Sequence, residues 1–159
     1  MTKRKTYTGI ITDLKQNQIF VFGSNPEGRH GAGAAKLAME KFGAVRGVGR
    51  GLTGRSYALV TKNLTKGFRE RSTGKTYALS GKKSVSKRDI KQNIRDLYRF
   101  ARKERSKEFL IAYTAGGLNL NGYTSLEMAK MFGEASVSIP ENIIFQDKFL
   151  ENVEKSGGN

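Results

Sequence analysis

The stretch Ile19–Leu37, IFVFGSNPEGRHGAGAAKL, decides the reading of the chain. Ile19–Phe22 is short, apolar and rich in β-branched and aromatic residues, the composition of a buried strand. Gly23, Gly28, Gly31 and Gly33 follow, and Asn25-Pro26 and Glu27-Gly28 mark turns. Ala32, Ala34, Ala35, Leu37 and Ala38 then form a run of strong helix formers. A glycine loop at a helix start leaves several backbone N–H groups unpaired and aims them at one point, which attracts phosphate. Two better-known phosphate patterns fail here. Gly28–Lys36 never offers a glycine followed by Lys-Ser/Thr at P-loop spacing. Gly31-x-Gly33 is followed by Lys36 where a dinucleotide fingerprint needs its third glycine. Two readings stay open on spacing alone: glycines that serve turns only, and glycines that let backbone approach a ligand.

Outward from that stretch, 159 residues are enough for one domain with a real core and too few for two comfortable ones. No cysteine is present and His30 is the single histidine, so disulfides and thiolate sites are excluded and no metal site is expected. No resident cofactor is expected either. No apolar run approaches the roughly 20 residues of a membrane span, and Met1–Thr8 lacks a signal-peptide core, so the cytoplasm is the expected compartment. The net charge of +15 draws the chain to polyanions. That charge is concentrated: residues 62–107 carry 16 Lys and Arg against 4 Asp and Glu, whereas residues 108–159 carry 3 against 7.

In chain order, Lys3–Lys5 is a basic arm and Tyr7–Ile11 a candidate first strand. The first helix is expected to run to about Phe42 and stop at Gly43. Ala44–Gly54 is too poor in apolar side chains to be an element, and Ser56–Thr61 reads as a strand. Turn signals at Lys66-Gly67, Thr73-Gly74 and Ser80-Gly81 suit a hairpin or a loose basic loop. Ser86-x-x-Asp89 resembles a capping box and opens the clearest helix. Ile90, Ile94, Leu97 and Ala101 share one face, and Arg88, Lys91, Arg95, Arg99 and Arg102 the other. The basic face reads as a solvated surface or as a stripe for nucleic acid. Phe109–Thr114 is a strand, Ala115–Gly122 a second glycine loop, and Thr124-x-x-Glu127 a capping box for a helix with Leu126, Ala129 and Phe132 inward. Asn142–Phe145 is a last strand. Residues 1–150 are expected to form one domain and residues 151–159 a disordered tail. The alternation β-α-β-α-β-α-β indicates a three-layer α/β/α sandwich with helices on both faces of a mixed sheet.

Three segments together resemble the macro domain fold, in particular the branch that includes ADP-ribosyl-ester hydrolases. They are Gly31-Ala32-Gly33-Ala34-Ala35 at the helix start, the strand Tyr57-Ala58-Leu59-Val60-Thr61-Lys62, and Gly116-Gly117-Leu118-Asn119. A closer resemblance is to a family of small phage-encoded proteins of that fold, without settled activity. It rests on FVFGSN…G-x-HGAGAA, on GVG-x-G-L-x-G-x-SYA-x-x-TK and on Gly122-Tyr123, and it covers residues 7–149 except an apparent basic insertion at about 64–85. A phage origin would place the chain in the host cytoplasm.

What the resemblance implies is a cleft for ADP-ribose or a related nucleotide. Gly31, Gly33 and Ala34 would offer backbone N–H groups near the distal ribose and Asn25 a side-chain contact to it, with Gly23, Ser24, Arg29 and His30 in the same ligand-binding set; by its own chemistry Arg29 reads as a phosphate clamp or as a side chain facing water. Ala115, Gly116, Gly117, Leu118 and Asn119 would wrap the diphosphate. His30 has two equal readings, ligand contact and loop anchor. Asp13 reads as a surface acid rather than an adenine contact. The hydrolytic members use a lysine and an acid; Lys62 matches the lysine, but Asn119 stands at the acid's position, and an amide is no general base. The expectation is therefore a binding module without turnover. The alternatives are a hydrolase of ADP-ribosyl conjugates acting through Lys62, and a nucleic-acid or other polyanion binder working through residues 62–107.

Overall fold

The computed structural model describes residues 3–114 and 119–156. Its frame is a six-stranded sheet in the order β1-β8-β7-β2-β4-β3. β2 (Gln18–Ser24) lies near the middle, paired in parallel with β4 (Ser56–Val60) and β7 (Glu108–Ile111). β7 in turn pairs with β8 (Ile143–Gln146), and β8 with β1 (Thr6–Tyr7), again in parallel. Only β3 (Gly51–Thr53) runs antiparallel, against β4. The chain is thus an α/β/α sandwich on a mixed, mostly parallel sheet, as the alternation of elements predicts.

The strands read as continuous apolar runs because both faces are covered. Side chains alternate between faces, and the register keeps that alternation in step across the sheet. Ile19 lies beside Phe109, Phe20 beside Leu110, and Val21 beside both Ile111 and Tyr57. Ile19, Val21, Tyr57, Leu59, Phe109, Ile111, Ile143 and Phe145 fill the larger core, under α2 (Lys87–Lys103), α3 (Ser125–Glu134) and α4 (Asp147–Lys155). Phe20, Phe22, Ala58, Leu110 and Ile144 face α1 (Gly33–Lys41), whose Ala35 and Ala38 let it sit close, together with Ile11 and Phe42. No helix among the described residues is long and apolar enough to cross a membrane.

Several local expectations need correction. The first strand is two residues long rather than Tyr7–Ile11, because Gly9 takes φ +75° and Ile10 turns out to solvent. The Ala44–Gly54 stretch does contain an element: β3 pairs through its backbone with the sheet edge, which needs no apolar side chains. Gly54 (φ +60°) makes its turn, and a Cβ there would lie 2.9 Å from Gly43 Cα. In α3 the buried set is Met128, Ala129, Met131 and Phe132, while Leu126 is 54% exposed. That helix is gripped from two sides, by α2 and α4, which turns Leu126 outward. The region expected to be loose from residue 151 is helical up to Lys155, with Val153 in the core.

The basic segment 64–85 is an ordered hairpin of β5 (Phe68–Arg69) and β6 (Thr76–Tyr77). Its stem is stapled at Asn63, whose N–H donates to Ser84 Oγ (2.7 Å) and whose side-chain amide donates to the carbonyls of Thr65 and Leu79 (2.8 Å each). Its far end is held by Glu70, only 4% exposed, which receives a two-pronged ion pair from Arg50 at 2.9 and 3.0 Å. Tyr77 and Thr73 hydroxyls also donate to that carboxylate at 2.8 Å each. Arg50 donates in addition to Asn93 of α2 (2.9 Å), which donates to the Val60 carbonyl of β4 (2.9 Å). Burial pulls the Glu70 carboxyl up, but the hydrogen bonds from Arg50, Tyr77 and Thr73 and the guanidinium charge outweigh it, so its pKa lies below the ordinary value.

Candidate functional site

The parallel strands share one carboxyl edge, and the connections leaving it diverge. β2 leads into α1 on one face and toward β4, whereas β7 leads into α3 on the other face and toward β8. Between β2 and β7 the two connections part, and beyond the strand ends at such a point is the usual ligand position in open parallel sheets. Both glycine loops of the sequence reading start at this point.

The first loop is two structures in one. From Asn25 to His30 it is closed on itself. The Asn25 amide donates to the Arg29 carbonyl (2.8 Å) and accepts from the Arg29 N–H (3.0 Å). His30, 2% exposed, sets its ring edge-on to Phe22 and hydrogen-bonds the Val48 carbonyl through Nε2 at 3.0 Å. A carbonyl only accepts, so Nε2 donates in this contact, and Nδ1 has no partner among the described residues. Of the two readings of His30, the loop anchor is the one the geometry displays. Gly28 (φ +71°) and Gly49 are pressed against each other's loops: a Cβ on Gly28 would lie 2.5 Å from the Gly47–Val48 backbone, and one on Gly49 2.1 Å from the Asn25 carbonyl oxygen. The exposed Arg29 side chain stands at the edge of this closed half.

From Gly31 onward the loop is open. Among the described residues, nothing lies within 4 Å of where a Gly31 Cβ would be. The first helical bond of α1 runs from Lys36 N–H to the Ala32 carbonyl (3.2 Å), so the amides of Gly33, Ala34 and Ala35 have no intrahelical acceptor. Ala32 stands at the cap position in an extended conformation, with no side-chain hydrogen bond and no acid in the first turn. The other helices differ. Ser86 caps α2, Thr124 and Glu127 form a full capping box on α3, and Gln146 caps α4, each with an acid in the first turn. The Thr124 backbone N–H, followed by Lys87, holds the Glu127 carboxyl down at about 2, so α3 already carries its own anion.

The second loop meets the first here. A Cβ on Gly33 would lie 3.2 Å from Leu120 Cδ1, so Leu120 lies directly over the start of α1. Ala115, Gly116, Gly117 and Leu118 lie outside the described residues. Asn119 is described, and its side chain has a structural task. Its amide N–H and its backbone N–H both donate to the Tyr123 carbonyl (2.9 and 3.0 Å), and Gly122 N–H donates back to Asn119 (2.9 Å). A carboxylate at this position would face that carbonyl without a donor.

Thr61 and Lys62 extend β4 beside the end of β2: their N–H groups donate to the Ser24 carbonyl at 3.0 and 3.3 Å. Gly23 leaves room for the Thr61 hydroxyl, which would lie 3.1 Å from a Cβ there. Ser24, Asn25 and Thr61 are buried, and the half-buried Lys62 stands at the same carboxyl edge. The contacts bring Gly33 against Leu120, next to Asn119, and set Thr61 and Lys62 beside Ser24 and Gly23 at the carboxyl edge of the sheet, with Asn25 and His30 bracing the loop that carries Gly31, Gly33 and Ala34. Leu120 and Thr61 were missed as contributors. Thr61 stands in the Thr-Lys motif but carried no role there, and no motif marks Leu120, which only its contact with Gly33 brings in.

The basic face of α2 is largely engaged. Lys91 approaches Glu134 (3.6 Å), Arg95 donates to Gln92 and the Ala135 carbonyl, Arg99 approaches Asp96 (3.5 Å), and Arg102 donates to the Ser138 carbonyl (2.9 Å). Arg88 is exposed near the amino end. Among the described residues no group of three or more His, Asp or Glu could hold a metal ion. A cavity of about 570 Å³ lies elsewhere, between the 47–50 loop and the hairpin.

No protein-family model matches the chain, and no curated protein or solved structure matches it either.

Proposed function

We propose that this chain is a nucleotide-binding module that takes ADP-ribose, or a nucleotide with a similar diphosphate and ribose, into the crevice between β2 and β7, and holds it without cutting it. The observation that carries the reading is the start of α1, three amides without a partner among the described residues, no side-chain cap and no first-turn acid, set where two connections diverge and with Leu120 against Gly33. Such a helix end favours an anion by its dipole and by its free donors together. The resemblance to macro domains supplies the ligand class, and the loop at residues 23–33 together with Asn119 and Leu120 supplies the described walls. The absence of turnover is inferred from Asn119, whose amide is committed to the Tyr123 carbonyl and cannot accept a proton as a base would.

Titration calorimetry with ADP-ribose and its cyclic forms tests the reading. The expected result is saturable heat; none at a few hundred micromolar, a binding free energy weaker than about −5 kcal/mol, contradicts it. A second reading has one observation behind it. The half-buried Lys62 stands at the carboxyl edge of β4, tied through its backbone to Ser24. A lysine there is poised to attack a ribose carbon, as in hydrolases of ADP-ribosyl conjugates. Release of ADP-ribose from a modified protein, abolished by Lys62→Ala, would favour that reading over pure binding.

A further inference from the structure

The cavity between the hairpin and the 47–50 loop is outside the β2–β7 crevice and has a different chemistry. One wall is the Gly47–Gly49 backbone with the side chain of Val48; the other is Phe68, Arg69 and Arg71. Its floor is the Arg50–Glu70 ion pair, in which each charge cancels the other. Arg69 and Arg71 are both exposed, and neither has an ion-pair partner among the described residues. Lys66 and Arg46, on the hairpin and on the facing loop, are exposed and likewise outside every ion pair. The one acid at the rim, Glu27, accepts a hydrogen bond from the Thr65 hydroxyl at 2.7 Å. The slot is therefore a rigid, net-positive groove with two guanidinium groups free to move and a half-buried aromatic ring in its wall.

We infer that this groove binds single-stranded nucleic acid, with Arg69 and Arg71 on successive phosphates and a base set against Phe68 and Val48. Three observations favour it. At about 570 Å³ the groove has the size of one or two nucleotides and is concave, which suits an unpaired strand and not the convex side of a duplex. Guanidinium groups bind phosphate by paired hydrogen bonds as well as charge. The Arg50–Glu70–Tyr77 network pre-orders the hairpin, so little ordering cost is left for binding. The inference does not depend on the nucleotide crevice.

Fluorescence anisotropy with a labelled single strand of about twelve nucleotides, followed from low to moderate salt, tests it. The double variant Arg69→Ala/Arg71→Ala should weaken binding about tenfold or more and make the log–log salt slope shallower by about 1.4, the value for two phosphate contacts on a single strand. Lys103→Ala/Arg105→Ala removes the same charge from the far end of α2 and should change affinity less than about threefold. All four positions are exposed, and unchanged thermal melting of both variants confirms that the comparison is between folded proteins. Equal losses in the two variants would overturn the inference, because they would make the attraction one of net charge only. Tighter binding of the matching duplex, or of an acidic polypeptide, through Arg69 and Arg71 would overturn it as well.

Discussion

The two halves of the β2–α1 loop, polar Asn25–His30 and glycine-alanine Gly31–Ala35, are used in opposite ways. Asn25–His30 turns its polar groups inward: the Asn25 amide closes on Arg29, His30 ties to Val48, and Gly28 exists to let the 47–49 backbone come near. In Gly31–Ala35, among the described residues, no atom stands near a Gly31 Cβ and the first amides of α1 have no acceptor. The lesson is that a glycine-rich loop is not one feature. Part of it is a rigid bracket, and the part that can meet an anion is what the bracket presents.

The bracket should be the costly half to disturb. Glu70 anchors Arg50, which continues directly from Gly49, and Glu70→Ala would leave a half-buried guanidinium without its partner. A loss of about 3–5 kcal/mol is expected by urea denaturation. Low pH should act on the same pair. The pKa of Glu70 is depressed in the folded protein, so its contribution is complete above the unfolded carboxylate value near 4.3 and is lost as the pH falls through the lower folded value. Hydrogen exchange in residues 64–85 should therefore rise in that acid range before the central strands open. Gly49→Ala comes next. Its Cβ would overlap the Asn25 carbonyl, and about 2–3 kcal/mol should be lost, again by denaturation.

The open half should tolerate change, or gain from it. Ala32→Asp places an acceptor at an exposed, extended cap position, and about 1 kcal/mol of stability should be gained. Gly31→Ala meets no atom and needs no positive φ, so a change within about 0.5 kcal/mol is expected by the same measurement. If Gly31→Ala proved as damaging as Gly49→Ala, the division of the loop into bracket and open end would be wrong.

Much of this was legible in the sequence. The four long parallel strands announce themselves as apolar runs because the sheet is covered on both faces, and α2 and α3 carry their caps in the sequence. What was not legible depended on partners distant in the chain. β3 is held by backbone pairing at the edge, so its side chains carry no signal. The hairpin is ordered by a glutamate whose arginine lies 20 positions earlier in an otherwise basic tract. Leu126 breaks the expected inward face because α3 packs on two helices rather than one. At the site, the glycine loop and Lys62 could be placed from sequence, whereas the roles of Asn25 and His30 as braces depend on their contacts with Arg29 and Val48. The change of Asn119 from missing acid to turn donor likewise needed the Tyr123 carbonyl in place.

The central claim is that the uncapped start of α1 receives an anionic nucleotide. Calorimetry of ADP-ribose against the unaltered chain and against Ala32→Asp tests it most directly, since the variant fills the site with its own carboxylate while leaving the fold at least as stable. The account predicts saturable binding to the first and a loss of about tenfold or more in the second. Equal affinity in both, or no heat from the unaltered chain at a few hundred micromolar, would contradict it.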